Sequence, residues 1–249
     1  MNMTKKLFIF ALAFALCAGA AAAGDRVIVF ATDATWPPME FVDQHKHTVG
    51  FSIDYMTAAG KAAGFKAEFT TVAWDGIFGG LAAGRYDAIC SSVSITEERK
   101  KTMDFSEPYF RVRQAVVVPK ASTVKSLEDL KGQKVGSQIS TTGTFAIQAV
   151  PEIVSKTYDE VGLAMEDLFN GRLAAVVCDD PVAAQYALEN ERYKGAFKIA
   201  VVVESGEVEF YGIAVKKGNA EVLDLVNAGI RAVKANGLEE ELMKKWIGQ

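Results

Sequence analysis

The chain has 249 residues, half of them apolar, with 27 basic and 31 acidic side chains and a formal net charge of −4. That length can bury a sizeable core in one or two domains. The mildly acidic balance argues against a general nucleic-acid binder.

The first segment carries Lys5 and Lys6, then "LFIFALAFALCA", then "AGAAAAGD". A positive start, a short apolar run and small residues read as a signal peptide over 1–23. The apolar run falls short of the ~20 residues that a membrane-spanning helix needs. Leu16 precedes Cys17 where a lipoprotein signal requires a small residue, so no lipid anchor is expected. Cleavage removes two lysines and no acid, which takes the net charge to −6. The expected product is a soluble exported protein, and nothing later in the chain is apolar enough to span a bilayer.

The mature region alternates strand and helix patterns. "RVIVFAT" is a β-rich run, and "SIDYMTAAGKAAG" has helical spacing ended by glycine. "KAEFTTV" is strand-like, "WDGIFGGLAAG" helical and "YDAICSS" strand-like again. "SLEDLKG" predicts a short helix with Ser126 as N-cap, followed by the strand "QKVGSQ" and the helix start "STTGTFAIQAV". Such alternation implies α/β architecture with parallel sheets, whose ligands sit beyond the carboxyl ends of the strands.

Two segments repeat one pattern. "LAAGRYDAICSS" (81–92) and "LFNGRLAAVVCD" (168–179) each run from a helix end through a Gly-Arg turn and a small apolar strand to a polar residue. Ser92 falls opposite Asp179, which suggests two similar α/β units. The extended runs "SEPYFRVRQAVVVPK" and "KIAVVVESGEVEFYGIAVKKGN" connect them, with crossings expected near Arg111–Ala115 and Gly206–Tyr211. A helical segment ends the chain. The expected lobes are 24–112 plus 210–249, and 113–209.

A cleft between two such lobes is a small-molecule site. Its candidate residues form a cationic and hydroxylic group (Ser91, Ser92, Ser94, Arg99, Thr141, Thr142) and an anionic group (Asp33, Asp179). Arginine holds a carboxylate through two parallel hydrogen bonds. Ser94 or Thr96 reads as the N-cap of the helix carrying Arg99, and "STTGT" opens a second helix whose free N–H groups suit an anion. Asp180 fits the cap before Pro181, leaving Asp179 for an ammonium group. Carboxylate on one side and ammonium on the other describes an α-amino acid. Trp36 and Trp74 can clamp its side chain. His45 and His47 read as an exposed turn rather than a metal pair, and no hydrolase, zinc, Walker or dinucleotide motif occurs. A bridge between Cys90 and Cys178 would lock the cleft, so free thiols are expected.

On "ATDATWPPMEF", "VGFSIDYMTAAGKAAG", "VAWDGIFGGLAAGRYDAI", "SITEERKKTMDFSEPYF", "LEDLKGQKVGSQISTTGT", "LFNGRLAAVVCDDPVAA", "FYGIAVKKGN" and "KKWIG", the chain resembles the family 3 bacterial extracellular solute-binding proteins, the polar amino-acid receptors of ABC importers. The resemblance implies the two-lobed periplasmic-binding-protein fold (type II), with parallel-rich sheets and two extended hinge strands. It places Arg99, Ser94 and Thr142 on the ligand's α-carboxylate, and Asp179 and the Ser92 carbonyl on its α-ammonium. Trp36 and Trp74 clamp the side chain, and Asp33, Ser91 and Gln138 meet its distal end. It implies a periplasmic, monomeric protein without cofactor or metal, delivering ligand to a membrane permease by hinge closure. Met39, Ser140 and Ala174 depart from the family's usual phenylalanine, glycine and aspartate. The "SSVS" serines with Asp33 favour a basic amino acid first and glutamine second. Two alternatives are a cyclohexadienyl-dehydratase-like enzyme, which needs a glutamate in the second lobe, and a ligand-sensing partner of a membrane receptor. After Asp179 the sequence reads "DDPVAAQY", with no glutamate before Glu189.

Overall fold

The computed structural model describes residues 26–203 and 208–248. The expected signal peptide, Cys17 and the Gly206 end of the second crossing lie outside the described residues.

The chain opens with β1 (Arg26–Thr32), a small antiparallel sheet of β2 (Thr35–Trp36), β3 (Glu40–Val42) and β4 (Thr48–Val49), then α1 (Phe51–Ala63) and β5 (Phe65–Thr71). α1 buries Phe51, Ile53, Tyr55, Met56 and Ala59 on one side and stops at Gly64. Gly64 takes φ 82° and donates its N–H to Gly60 O, a left-handed cap that glycine adopts without a Cβ clash. Next come α2 (Trp74–Ala82), β6 (Ala88–Ile89), the single turn α3 (Glu97–Lys100), β7 (Met103–Phe105) and β8 (Phe110–Val112).

β9 (Gln114–Pro119) starts the second unit, followed by β10 (Lys134–Gln138), α4 (Thr142–Gln148), β11 (Val154–Tyr158) and α5 (Val161–Phe169). β12 (Ala175–Asp179), α6 (Asp180–Ala184) and β13 (Phe197–Val203) complete it. β14 (Glu209–Tyr211), β15 (Ala214–Lys216), α7 (Ala220–Ala235) and α8 (Leu238–Trp246) end the chain.

The two five-stranded sheets share one plan. The first has order β5-β1-β6-β15-β7 and the second β11-β10-β12-β9-β13. In each, three parallel strands are followed by one that runs antiparallel to them and an edge strand antiparallel to that one. β6 and β12, the strands of the two matched segments, hold the same central place. The sheets are therefore mixed rather than wholly parallel, because β15 and β9 enter as the chain crosses between units. β12 is buried along its full length, as expected of a central strand covered on both faces.

β8 pairs antiparallel with β14, joining Val112 to Glu209 and Phe110 to Tyr211. These two short strands are the crossings. β15 then returns to the first sheet, and α7 packs against α1, where Gly229 lets the helices approach (a Cβ there would come within 2.6 Å of Ala59 O). Two expectations need correction. The Ser126 helix is one 3-10 turn at Glu128–Leu130, with Ser126 Oγ accepting from Asp129 N at 3.3 Å. Asp180 does not cap α6: it is the helix's first residue, and its carboxylate pairs with Arg113.

Candidate functional site

The four parallel strands β1, β6, β10 and β12 end on Asp33, Ser91 with Ser92, Gln138 and Asp179. These ends face one pocket. All the residues expected at the site line it: Asp33, Trp36, Trp74, Ser91, Ser92, Ser94, Arg99, Gln138, Thr141, Thr142 and Asp179. One further residue joins them, Glu40.

The wall from the first sheet is built around β1 and β6. The Asp33 backbone N–H donates to Ser91 Oγ at 2.9 Å. Thr35 Oγ1 donates to Asp33 Oδ1, and Gln138 Nε2 reaches across from β10 to Asp33 Oδ2 at 2.8 Å. Burial holds the Asp33 carboxyl above the ordinary range, against those two donors. Ser92 sits at φ 46° and donates its hydroxyl to Glu40 Oε2 at 3.0 Å.

Arg99 is held on three sides. Its Nη1 donates to Ser94 O at 2.9 Å and its Nη2 to Ser140 O at 3.1 Å. Its guanidinium lies over the rings of Trp74 (5.6 Å) and Phe78 (5.2 Å). Burial lowers its pKa to about 10, opposed by the charges of Asp179 and Glu209, so it remains a cation at neutral pH. The helix starts contribute less than expected. α3 is only four residues long, and Thr96 caps it by accepting from Arg99 N. Thr141 likewise caps α4 by accepting from Thr144 N, while its hydroxyl donates to Gln138 O. A side-chain cap consumes N–H groups that a ligand would otherwise take.

The wall from the second sheet centres on Asp179. Its Oδ1 accepts from Gln114 Nε2 at 2.6 Å, and its Oδ2 accepts from Trp36 Nε1 at 3.2 Å and from the Tyr211 hydroxyl. Burial, then the charge of Glu209, pushes its carboxyl up to about 7. Gln114 Nε2 also meets Thr142 Oγ1 and Glu209, and Thr142 Oγ1 donates to Glu209 Oε1 at 2.6 Å. Gln114, which opens β9, and Tyr211 of the crossing strand β14 thus both touch Asp179.

Besides the Gln138–Asp33 bond, two more contacts join the two units over the pocket. Trp74 Nε1 donates to Ile139 O at 2.9 Å, and Ser94 and Thr142 share a hydroxyl contact at 3.4 Å. The arrangement opposes one guanidinium to three carboxyls. Cys90 and Cys178 are buried free thiols, and burial raises both pKa values, which makes them unreactive. His45 and His47 are exposed in the β3–β4 turn. Among the described residues no group of three or more metal-ligating side chains occurs.

Strand-end reasoning missed Glu40, Phe78, Gln114, Glu209 and Tyr211. Phe78 was legible at i+4 from Trp74 on α2. Gln114 was legible as the polar residue opening the apolar run "AVVV". Glu40 left no such signal, since it enters from a side sheet.

A family model for bacterial extracellular solute-binding proteins, family 3, matches residues 28–249. A probable histidine-binding protein of Neisseria gonorrhoeae is 35% identical, with 100% of this chain and 97% of that protein aligned. ABC transporter arginine-binding protein 1 of Escherichia coli (strain K12) is 35% identical over 98% of this chain and 100% of its own length. The solved structure of an ancestral arginine-binding protein bound to glutamine superposes with TM-score 0.83 at 40% identity, covering 90% of this chain and 99% of that one. With the family model spanning residues 28–249 and the relatives aligned over nearly the whole chain, this chain belongs to the bacterial extracellular solute-binding proteins, family 3.

Proposed function

We propose that the pocket binds an L-α-amino acid with a cationic side chain and that the protein delivers it to the permease of an ABC importer. The observation that carries the reading is the charge pattern: Arg99 stands alone against Asp33, Glu40 and Asp179 in one lining. Arg99, with Ser94 and Thr142, takes the ligand carboxylate. Asp179 takes the α-ammonium, Trp36 and Trp74 flank the side chain, and Asp33, Ser91 and Gln138 meet its far end. Thr141 fixes the helix start beside them. Relatives named for histidine and arginine binding support this class of ligand.

The lobes in this reading are 24–112 plus 210–249, and 113–209, a division supported by the membership of the two sheets. Each lobe holds part of the ligand, so the ligand favours the closed arrangement and shifts the population toward it. The reading places the protein outside the cytoplasmic membrane, as a monomer. An enzymatic role finds less support: Glu189, the first glutamate after Asp179, is exposed and does not line the pocket.

The test is a thermal-shift screen of ligand-stripped protein against the common L-amino acids, with Arg99→Ala alongside. A ligand at about 100 times its Kd adds roughly 2.7 kcal/mol, or roughly 5–10 °C for a chain of this size. Arginine, lysine, ornithine or histidine is expected to give that shift in the wild type and none in Arg99→Ala. A shift with glutamine alone removes the cation argument, and an unaltered shift in Arg99→Ala removes the carboxylate role.

A further inference from the structure

Glu40 begins β3 and is fully buried, yet it forms part of the pocket wall. Among the described residues its hydrogen bonds reach one oxygen only, although the Ser52 hydroxyl also lies near enough to favour the charged carboxyl. Ser92 Oγ donates to Oε2, while Oε1 has no hydrogen-bond partner. The other two carboxyls of the pocket differ on this point. Asp33 and Asp179 each have donors on both oxygens. A buried polar atom left unpaired costs its full desolvation, so an orphan oxygen in a pocket wall needs an explanation.

Among the described residues no cation faces Glu40 from the elements packed around it. The ionisable groups near it are Asp33 after β1, Cys90 after β6, Tyr109 before β8, Asp179 on β12 and Tyr211 on β14. Ser52 of α1 and Ser92 supply only hydroxyls. Arg99 is already engaged by the carbonyls of Ser94 and Ser140. Burial, and then the charges of Asp33 and Asp179, hold the Glu40 carboxyl well above its ordinary range. The ligand-free surroundings thus favour its protonated form more than water does.

We propose that Glu40 contacts the ligand, its free Oε1 receiving a cationic group, and so selects an amino acid with a charged side chain over a neutral one. This rests on the amino-acid reading of the pocket. The charge balance follows from the lining. Arg99 and one carboxylate match the two ends of a neutral amino acid. A ligand with a further positive charge meets Asp33 at its far end, and a cation at Glu40 Oε1 gains a second acceptor there; it favours the charged carboxyl, so binding shifts Glu40 toward release of a proton to solvent. The competing role is purely positional: Glu40 could do no more than hold Ser92 in its left-handed conformation.

Glu40→Gln separates the two roles, because the amide keeps an acceptor oxygen for Ser92 and loses the charge. Calorimetric titrations of wild type and Glu40→Gln with L-arginine, L-lysine and L-glutamine are compared. Loss of a charged hydrogen-bond partner is expected to weaken arginine and lysine at least about 10-fold, with glutamine changed by less than roughly threefold. In the wild type, titrations in buffers of different ionisation enthalpy are expected to show more protons released with arginine than with glutamine, a measurement that needs no variant. Equal changes for charged and neutral ligands, or no surplus proton, overturn the proposal and leave the amino-acid reading intact. A wild type that binds none of the three overturns both, and the wild-type trace alone shows it.

Discussion

Asp179 shows how one side chain ties ligand, hinge and pH together. Three donors hold it, from Trp36, Gln114 and Tyr211, yet burial and the nearby Glu209 still raise its carboxyl from 3.8 to about 7. Between those two values the folded state holds a proton that the unfolded state has released. Stability of the ligand-free protein therefore falls as pH rises through that window. Asp33 and Glu40 are shifted in the same direction and add to the slope. The melting temperature of ligand-stripped protein is expected to drop between pH 4 and pH 7, and Asp179→Asn to reduce that drop. An unchanged slope in the variant would show that Asp179 is not held protonated. Residues of this kind were legible because strand ends in α/β sheets point at ligands. Glu40 was not, since a hairpin beside the sheet obeys no such rule. Asp180 was misread because a local cap preference lost to a charge partner, Arg113, from the link between β8 and β9.

At the scale of elements, the join between β4 and α1 bears on the pocket. Gly50 has φ 135°, and a Cβ there would lie 2.2 Å from Met39 O and 2.9 Å from Glu40 N. Gly50→Ala combines strain with a clash against backbone, and is expected to cost roughly 2–4 kcal/mol. Urea denaturation measures this directly, and a midpoint equal to that of the wild type would refute it. The same change presses on the strand that carries Glu40, so ligand affinity should fall with stability. Elements were largely legible from periodicity and stops: α1 ended at its glycine, and the repeat 81–92 against 168–179 marked β6 and β12. Short elements were not. The Ser126 helix shrank to one 3-10 turn, because three residues after a cap cannot repay helix nucleation.

For the whole molecule, the direct contacts across the pocket describe a closed arrangement. Trp36 meets Asp179, Gln138 meets Asp33 and Trp74 meets Ile139 O. Few polar pairs close the pocket, and exchange with water leaves each with only about 0.5–1.5 kcal/mol of net stabilisation. A ligand that touches both walls is thus expected to set the balance between open and closed forms. Small-angle scattering of ligand-stripped protein should show the radius of gyration contract on adding the amino acid that scores in the thermal screen. An identical scattering curve with and without ligand would reject closure as the response.

Alternating periodicity, a repeated strand-end pattern and an arginine beside serines were enough to name two α/β units and ten pocket residues, and the family resemblance added Gln138. Each of those signals is local, because a strand or helix declares itself within a dozen residues. The depth of the pocket's acidity was decided only by the fold. Glu40 and Glu209 lie 169 positions apart in the chain, and one enters the pocket wall while the other acts on Asp179 from behind it, only when a side hairpin and a returning hinge strand close on the strand ends. Their effect comes through burial and mutual charge, quantities that belong to a packed interior and that no stretch of sequence carries alone.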